Sequence, residues 1–351
     1  MATTRLQDRE MQNSSVLIFG GRSEEKLVSV ASGQNLAARF EFGELWFIAP
    51  SGAVHQIAPS DLAKHERAFE VQYVPTAPAI GASLEQCLPK LKGKTVFLGL
   101  HGTEGEDGGF QAMFEREKIA FTGSGAQSSR DCFDKLKAKA IVQKHGIKVA
   151  AELRLSKSDP RALQSGLEAF LASHGTIVIK PVASGSSFGL KIVSDRSALD
   201  SAVKGILDSQ YDLFMAESFV TGRELTVGVL ETGTATDSLP PSEVRVDDGR
   251  SFDYAGKYLG KGTLELTPAE ISPAETKAAQ KVALDAHKAL GCFGYTRTDM
   301  ILQKDGSMVY LETNTLPGLS KASFIPQQLT AAGISIPDFI KGQLALAQKR
   351  H

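Results

Sequence analysis

The sequence predicts an α/β protein with a parallel sheet near its N-terminus, because short apolar strands alternate with helix-like stretches. Val16–Phe19 has the pattern of a buried strand, and Gly20-Gly21 separates it from a helical pattern over 24–39. Further short strands are predicted at 45–48 and 95–100. This alternation is typical of parallel sheets, in which functional loops follow the carboxyl ends of strands. The loops at these positions are 20–21 and 101–102.

Length and composition agree with a globular protein of two or three domains. The chain has 351 residues, of which 42% are hydrophobic and 23% charged, and one domain holds roughly 150 residues. The 39 basic and 40 acidic residues nearly cancel, whereas nucleic-acid-binding proteins usually carry a basic excess. The three cysteines are widely spaced and form no CxxC pair. This spacing argues against a disulfide framework and a structural zinc site.

The sequence shows neither an export signal nor a membrane helix. Met1 to Ser15 is polar, and the apolar run after it is too short for a signal-peptide core. Elsewhere no run approaches the roughly 20 apolar residues of a membrane span. We therefore expect a cytoplasmic protein that binds neither membranes nor nucleic acid.

The rest of the chain supplies further helices and strands. Ser272 to Glu275 is a capping box with proline at the first helical position. The predicted helices are 128–145, 160–174, one from 273 to a stop at Gly291, and 338–349. The predicted strands are 176–180, 214–217 and 225–230.

Familiar motifs fail in context. Gly93-Lys94-Thr95 ends like a P-loop, but Leu88 replaces the glycine required five positions earlier. Gly123-Ser124-Gly125 begins like a dinucleotide fingerprint and has Ser128 in place of the third glycine. Residues 185–189 match the serine-hydrolase elbow, which requires a helix to follow, whereas 190–193 alternate like a strand.

A predicted hairpin near the C-terminus carries the strongest chemical signal. The strand-like runs 295–303 and 307–314 flank Asp305-Gly306, a typical two-residue hairpin turn. In a tight turn, residue 304 pairs with 307. Opposed side chains on one face are then Asp299 with Glu312, and Arg297 with Asn314.

Two facing carboxylates about 5 Å apart repel each other. A divalent cation would offset the repulsion, and two carboxylates with an amide oxygen suit Mg²⁺. The alternative is a solvated surface on which Arg297 neutralises the acids. The sharp turn at 315–318 after the strand favours a site.

A possible phosphate-binding loop lies between two strands at 182–189. Its glycines and serines can direct backbone N–H groups at an oxyanion, and Lys180 adds a cation beside it. The alternative is a flexible hairpin loop, since glycine and serine are common in turns. The connection after the strand that ends at Glu217 could offer backbone groups to a base, and the carboxylate of Glu224 suits ribose hydroxyls. The alternative for either acid is a surface salt bridge.

These motifs, in this order, resemble the D-alanine–D-alanine ligase family of ATP-grasp enzymes over nearly the whole chain, from about Val16 to Leu346. The matching segments are 19–25, 100–102 with 105–108, 122–125, 134–135, 180–181 with 185–189, 253–254 with 257–258, and 312–318. The resemblance implies a three-domain ATP-grasp architecture with an N-terminal parallel-sheet α/β domain. The implied domains are 1–124, which contributes to the first substrate site, a central subdomain at 125–220, and a C-terminal subdomain at 221–351 with the metal and second-substrate sites.

The resemblance also implies a site for ATP and two Mg²⁺, with Mn²⁺ as a possible substitute. Its implied nucleotide-binding residues are Lys135, Lys180, Ser187, Glu217, Ser218, Val220 and Glu224. Its implied metal ligands are Asp299, Glu312 and Asn314.

The implied reaction joins two D-alanine molecules through an acyl phosphate, and the implied assembly is a homodimer. Arg297 and the Gly318 N–H would stabilise the oxyanion. Glu25 would hold the first ammonium group near His101. Lys257 and Ser323 would bind the second carboxylate. Tyr258, on a loop closing over the site, would bond to Glu25 and Ser186.

Departures from the family pattern lie mainly near the second substrate. Lys321-Ala322 precedes Ser323, Ala255-Gly256 precedes Lys257, Leu27 replaces an acid, and residues 1–15 have no counterpart. Two alternatives therefore stay open. One is an ATP-grasp ligase with another amino acid, hydroxy acid or peptide in the second site, and the other is a nucleotide-binding protein without catalysis.

Overall fold

The computed structural model describes residues 9–185, 189–246 and 263–350. Three β-sheets follow one another along these residues. This mixed α/β organisation confirms the predicted fold class. Among the described helices, none is long and apolar enough to cross a bilayer.

The first sheet has six strands in the order β4-β3-β2-β1-β5-β6. Its strands are β1 Ser15–Gly20, β2 Glu44–Ile48, β3 Val54–Ile57, β4 Ala79–Gly81, β5 Thr95–Leu98 and β6 Ala120–Phe121. The predicted parallel pairing holds for β2-β1-β5-β6, whose centre is buried on both faces. An antiparallel edge, β3-β4, was not predicted, because these strands are short and lack a continuous apolar run.

Helices cover the first sheet and place its loops. They are α1 Lys26–Ala37, α2 Pro59–Ala63, α3 Leu84–Cys87 and α4 Gly109–Glu117, with a 3₁₀ turn at Leu88–Leu91. The core beneath them includes Leu17, Phe19 and Phe97, all fully buried. The loops after β1 and β5 meet in space: Ser23 Oγ donates a 2.6 Å hydrogen bond to the His101 carbonyl.

The second sheet is antiparallel, in the order β7-β10-β8-β9. Its elements are α5 Ala126–Phe133, α6 Lys135–Lys144, β7 Glu152–Ser156, α7 Pro160–His174, β8 Ile177–Pro181, β9 Lys191–Val193, α8 Arg196–Leu207 and β10 Leu213–Ser218. Leu167 of α7 and Leu199 of α8 pack with Ile179 of β8 in one core cluster. A strand, β9, follows the 185–189 segment, so the context that a hydrolase elbow requires is missing.

The third sheet is antiparallel and has the order β14-β13-β11-β15-β16, with β12 beside β11. Its elements are β11 Arg223–Glu231, β12 Thr236–Ser238, β13 Ser242–Val246, β14 Thr263–Leu266, α9 Pro273–Ala289, β15 Tyr295–Leu302, β16 Met308–Asn314, α10 Phe324–Ala331 and α11 Ile336–Gln348. The capping box at the start of α9 is confirmed, with Ser272 and Glu275 bonded reciprocally. Ala279 and Ala283 of this helix pack on the sheet.

The prediction of a single helix over 128–145 is wrong, because the helix is interrupted at Asp134. This residue is extended, with φ −82° and ψ 99°, and its carboxylate accepts a 3.0 Å hydrogen bond from Lys137 N. Asp134 thus ends α5 and caps α6. The apolar periodicity continues through the break, so the sequence pattern conceals it.

The hairpin predicted near the C-terminus exists, but its tight turn is wrong. The turn spans 303–307, with Gln303 N bonded to Ser307 O at 2.9 Å, and Leu302 pairs with Met308. A β-bulge then shifts the register between Asp299 and Met300. The bulge adds one residue on β16, and this offsets the longer turn. Asp299 consequently still faces Glu312.

Candidate active site

Four polar side chains predicted to share a face do so on the β15–β16 hairpin. Arg297 pairs with Asn314 and Asp299 with Glu312 in the strand register. All four line a pocket that Glu25 and His101 of the first sheet's loops also line. The hairpin therefore faces the N-terminal part of the chain rather than open solvent.

Asp299 is held by several donors. Arg297 bonds it through Nε to Oδ1 at 2.9 Å and through NH2 to Oδ2 at 2.8 Å. Thr226 donates to Oδ1 at 2.5 Å, and Asn314 Nδ2 lies 3.4 Å from Oδ2. Asp299 is 7% exposed, which does not fit the alternative of a solvated surface face. The cluster is a partly buried charged site.

Lys135 reaches this hairpin from the first position of α6. Its Nζ lies 3.3 Å from Glu312 Oε2 and donates a 2.5 Å hydrogen bond to the carbonyl of Ser184. A cation in the first turn opposes the helix dipole. Lys135 therefore does not stabilise the helix from this position, and its contacts with Glu312 and the Ser184 carbonyl explain why a lysine lies there.

Lys180 and Glu217 are paired, at 2.5 Å, and a second lysine joins them. Lys139, which is fully buried on α6, also pairs with Glu217. Burial raises the pKa of Glu217, but the two lysines outweigh it and hold that pKa below its usual value. Burial lowers the pKa of Lys139, despite the nearby carboxylate.

Lys139 belongs to this charged cluster and was not among the predicted residues. It follows Lys135 by four positions, so both side chains leave the same face of α6. A lysine pair at this spacing on an otherwise apolar helix face is the signal that could have identified it. It pairs with the carboxylate of Glu217, the first residue of the strand end that is predicted to hold the base.

One cleft brings together the predicted nucleotide-binding residues that the structure describes. They are Lys135, Lys180, Glu217, Ser218, Val220 and Glu224. The cleft continues to Asp299 and Glu312, and apolar side chains of Ile192, Ile301 and Leu311 also line it. Apolar walls with a few convergent polar groups are typical of cofactor and nucleotide sites.

Glu25 lies where the second sheet's loop approaches the first sheet's helix. It is the N-cap of α1 and is 7% exposed, and a carboxylate is favourable at a helix N-terminus. Gly185 passes so close that a methyl group there would collide with the Glu25 carboxylate. A larger residue at position 185 would therefore displace the Glu25 carboxylate.

The contacts of His101 fix its tautomer. Nδ1 lies 2.8 Å from the Leu316 carbonyl, which can only accept, so Nδ1 carries the proton. Nε2 then accepts from Ser32 Oγ at 2.8 Å. Burial lowers the pKa of His101 to about 4, so the ring is neutral at physiological pH. Both nitrogens are used to hold neighbouring residues.

The turn after β16 carries Gly318 against Ser323. A Cβ at Gly318 would lie 2.6 Å from Ser323 Oγ, so a larger residue here would displace that hydroxyl. Ser32, which bonds His101, accepts from Leu319 N at 3.1 Å. His101 and Ser32 therefore fix the turn on both sides of Gly318, and both Gly318 and Ser323 line the pocket of the hairpin cluster.

Glu106 is a second residue without a role in the sequence analysis. It is buried, and it accepts hydrogen bonds from Gly102 N at 2.8 Å and Leu316 N at 3.3 Å. Burial, together with the charge of Glu25, raises the pKa of Glu106 to about 8. A protonated carboxyl here lets two acids share the pocket without full repulsion.

The described donor set fits the predicted cation. Asp299, Glu312 and Asn314 offer two carboxylates and an amide oxygen on one face, and such hard oxygen donors suit Mg²⁺. Few protein ligands beside a cleft fit a metal that also binds phosphate oxygens. Ser186, Ser187, Lys257 and Tyr258 lie outside the described residues.

Comparison with known proteins agrees with this geometry. Residues 14–124 match the family model "D-ala D-ala ligase N-terminus", and residues 141–344 match "D-ala D-ala ligase C-terminus". Among curated relatives, the D-alanine–D-alanine ligase of Leptospira interrogans serovar Lai is 38% identical over 278 residues, 77% of this chain and 78% of the relative. That of Leptospira biflexa is 33% identical over 92% of this chain and 95% of its own.

Solved structures show the same likeness. The VanG D-Ala:D-Ser ligase from Enterococcus faecalis superposes with a TM-score of 0.80 at 28% identity, covering 95% of this chain and 98% of its own. The D-alanine–D-alanine ligase from Bacillus anthracis complexed with ATP has a TM-score of 0.71 at 27% identity and covers 95% of this chain and 96% of its own.

Proposed function

Because the chain belongs to the D-alanine–D-alanine ligase family, we infer that it joins two D-alanine molecules at the expense of ATP. The product, D-alanyl-D-alanine, is used in peptidoglycan synthesis. The observation that carries this function is the joint lining of one pocket by the β15–β16 cluster and by Glu25 of the first sheet's loop. A cleft for nucleotide opens beside it.

The first step transfers a phosphoryl group. The carboxylate of the first D-alanine attacks the γ-phosphorus, which forms an acyl phosphate and releases ADP. We assign Lys135 and Lys180 to the phosphates, Glu217 to Val220 to the base, and Glu224 to the ribose. Their common location in one cleft supports these assignments. Glu25 holds the ammonium group of the first D-alanine, near His101.

The second step forms the amide. The amine of the second D-alanine attacks the acyl carbonyl, and the tetrahedral intermediate expels phosphate. Arg297 and the Gly318 N–H stabilise the oxyanion, and Ser323 with Lys257 binds the second carboxylate. The pocket that Arg297, Gly318 and Ser323 line together supports these roles. Closure of the Tyr258 loop, with bonds to Glu25 and Ser186, keeps water from the acyl phosphate.

Asp299, Glu312 and Asn314 are the residues that would hold two Mg²⁺, for which Mn²⁺ can substitute. Bound there, the metal would neutralise charge on the transferring phosphate. The register that keeps Asp299 opposite Glu312 supports this assignment. Arg297, bonded to both oxygens of Asp299, orients that carboxylate.

We also propose the domain division at residues 124 and 220, a homodimeric assembly and a cytoplasmic location. The three successive sheets support the division. The family supports the assembly and the location.

A product assay tests this function. The purified protein with Mg·ATP and D-alanine should release ADP and phosphate and form D-alanyl-D-alanine, detected by mass spectrometry. Omission of D-alanine should reduce phosphate release to background. Phosphate release without any dipeptide would contradict the assigned function, and no ATP turnover would support a binding protein.

A competition assay between D-alanine and D-lactate tests the identity of the second substrate. With equal D-alanine and D-lactate at neutral pH, we expect mostly the amide, because a neutral tyrosine at position 258 adds no positive charge to oppose an incoming ammonium group. Mostly ester product would instead identify a hydroxy-acid ligase.

A further inference from the structure

Two of the three cysteines meet in the interior of the molecule, although 160 positions separate them along the chain. Cys132 lies on α5, and Cys292 lies in the turn between α9 and β15. Their sulfur atoms share a hydrogen bond of 3.6 Å, and both residues are buried. The third cysteine, Cys87, is buried elsewhere, in the core beneath the first sheet. The fold thus brings together one pair of thiols that their spacing does not predict.

The surroundings of this thiol pair are mostly apolar. Ala138, Leu290 and Tyr310 pack in the same core cluster as both cysteines. A structural zinc ion takes four ligands, and in the described part of the chain no His, Asp or Glu joins the two sulfurs in a group of three. A shared metal ion therefore does not account for the pair.

Cys292 is the more reactive thiol of the two. The hydrogen bond with Cys132 holds the pKa of Cys292 at about 7, below its usual value, although burial opposes this shift. The same bond and burial raise the pKa of Cys132 well above its usual value. The thiolate is the nucleophilic form of cysteine, and Cys292 directly follows the exposed Gly291. A small oxidant can reach a thiolate at this turn, whereas burial excludes a bulky one.

Hydrogen peroxide is an oxidant of the required size. The Cys292 thiolate attacks one peroxide oxygen, so that an S–O bond forms, the O–O bond breaks and hydroxide leaves with the proton that Cys292 had released, as water. The Cys132 sulfur then attacks the sulfenic sulfur of Cys292. The S–S bond forms, the S–O bond breaks, and the leaving hydroxide takes the Cys132 proton as a second water. The two thiols lose two electrons and two protons, and one peroxide is reduced to two waters.

Formation of this bond would move a segment that carries site residues. The sulfur atoms are 3.6 Å apart and must approach each other by about 1.5 Å to become bonded. Lys135 follows Cys132 by three positions, and Arg297 follows Cys292 by five. Cys132 also lines a small cavity together with Lys135 and Glu312. A shift of either segment would therefore reach a residue that the proposed function uses.

We propose that Cys132 and Cys292 are a peroxide-sensitive modification site, at which a reversible disulfide lowers the turnover of the enzyme. Disulfides of cytosolic proteins are usually of this transient, redox-sensing kind. The effect on turnover rests on the proposed function, whereas formation of the disulfide does not.

Mass spectrometry tests the disulfide. The reduced wild type, treated with hydrogen peroxide, should lose about 2 Da, and its tryptic peptide with Cys132 should be linked to the peptide with Cys292. Dithiothreitol should restore the original mass. Cys132→Ala and Cys292→Ala should each prevent the link, and Cys87→Ala, at the buried cysteine outside the pair, is the matched control that should keep it.

Steady-state kinetics test the effect on turnover. The oxidised wild type should have a kcat at least about tenfold below that of the reduced enzyme, because a displacement of about 1 Å at a reacting site can cost about 100-fold in rate. Dithiothreitol should restore kcat. Cys292→Ala should keep its kcat after the same treatment, which separates the disulfide from oxidation at other residues. Cys132→Ala decides the matter if Cys292→Ala does not fold.

The absence of a linked peptide from the oxidised wild type would overturn the proposal. Linked peptides with an unchanged kcat, or a loss of kcat that dithiothreitol does not reverse, would overturn the regulatory effect. Failure of the proposed function has a different signature: the reduced wild type would then form no dipeptide from D-alanine, while the disulfide would still form.

Discussion

Lys135 and Glu312 form an ion pair, with 3.3 Å between Nζ and Oε2, although family resemblance predicts that the first binds phosphate and the second binds metal. The pair connects the start of α6 with β16 and so ties the nucleotide cleft to the hairpin cluster. Each group offsets the charge of the other. Both assignments can hold together. A phosphate oxygen would replace Glu312 as the negative partner of Lys135, and a metal cation would replace Lys135 as the positive partner of Glu312.

Glu312→Gln should abolish ligation and leave the fold intact. The substitution removes one of two facing carboxylates, so repulsion across the hairpin falls, and the loss of the ion pair with the buried Lys135 opposes that gain. We expect a melting temperature near that of the wild type and ADP formation reduced beyond rescue at modest Mg²⁺. Asp305→Asn, in the exposed turn of the same hairpin, is the control. Near-normal turnover of the Glu312 variant would refute the metal assignment.

Lys180→Ala and Lys139→Met should both raise the KM for ATP, for different reasons. Lys180 lines the cleft, so its loss removes a charge near the nucleotide and should also lower kcat. Lys139 acts through Glu217 from the interior, so its loss should raise KM more than it lowers kcat. It should also destabilise the fold, by an amount limited by Lys180, which still pairs with Glu217. Steady-state kinetics and urea denaturation measure both effects, with Lys157→Ala as a control outside the cleft. An unchanged KM for ATP in both variants would show that Lys139, Lys180 and Glu217 do not contribute to nucleotide binding.

Glu106 should make the protein less stable as pH rises from about 4.5 to about 8. Its native pKa of about 8 exceeds the ordinary value of 4.5, so the native state keeps a proton that the unfolded chain releases in this interval. Glu106→Gln should therefore reduce the decline in the free energy of unfolding between pH 5 and 8. Urea denaturation at several pH values measures it. Parallel curves for the variant and the wild type would contradict the buried, protonated carboxyl.

Gly185→Ala should impair the reaction without unfolding the protein. The added methyl group would displace either the loop or Glu25, and a shift of about 1 Å at a reacting site can cost about 100-fold in rate. Gly166→Ala, in α7, is the control, because the added Cβ would lie 3.5 Å from Leu153 Cδ2, which is an ordinary van der Waals distance. We expect a large fall in kcat/KM for D-alanine in the first variant alone. Equal activity of both would show that the approach to Glu25 is unimportant.

The sequence was sufficient for the features that depend on local pattern and strand register. Apolar runs predicted β1, β2 and β5, and alternation predicted that Asp299 faces Glu312. Spatial relations between distant segments could not be predicted in this way. The pairing of Lys139 with Glu217 joins residues 78 positions apart, and the elevated pKa of Glu106 depends on burial by several loops.

The helix break at Asp134 shows a different limit. Both halves of the 128–145 stretch have helical periodicity, and only the competition between the Asp134 side chain and the helix backbone separates them. The register at Asp299 was predicted correctly although the turn was not, because the turn is one residue longer than predicted and the bulge adds one residue on β16.

The bulge in the β15–β16 hairpin also makes its turn a suitable attachment point. Lys304, Asp305 and Gly306 are exposed, and exposed loop tips tolerate inserted residues. Because the pairing of Leu302 with Met308 and the bulge both lie between this tip and Asp299, a short epitope or a reactive linker grafted at 305–306 would leave Asp299 opposite Glu312. The enzyme could then be immobilised on a bead or a sensor surface through this tip while its nucleotide cleft keeps its shape.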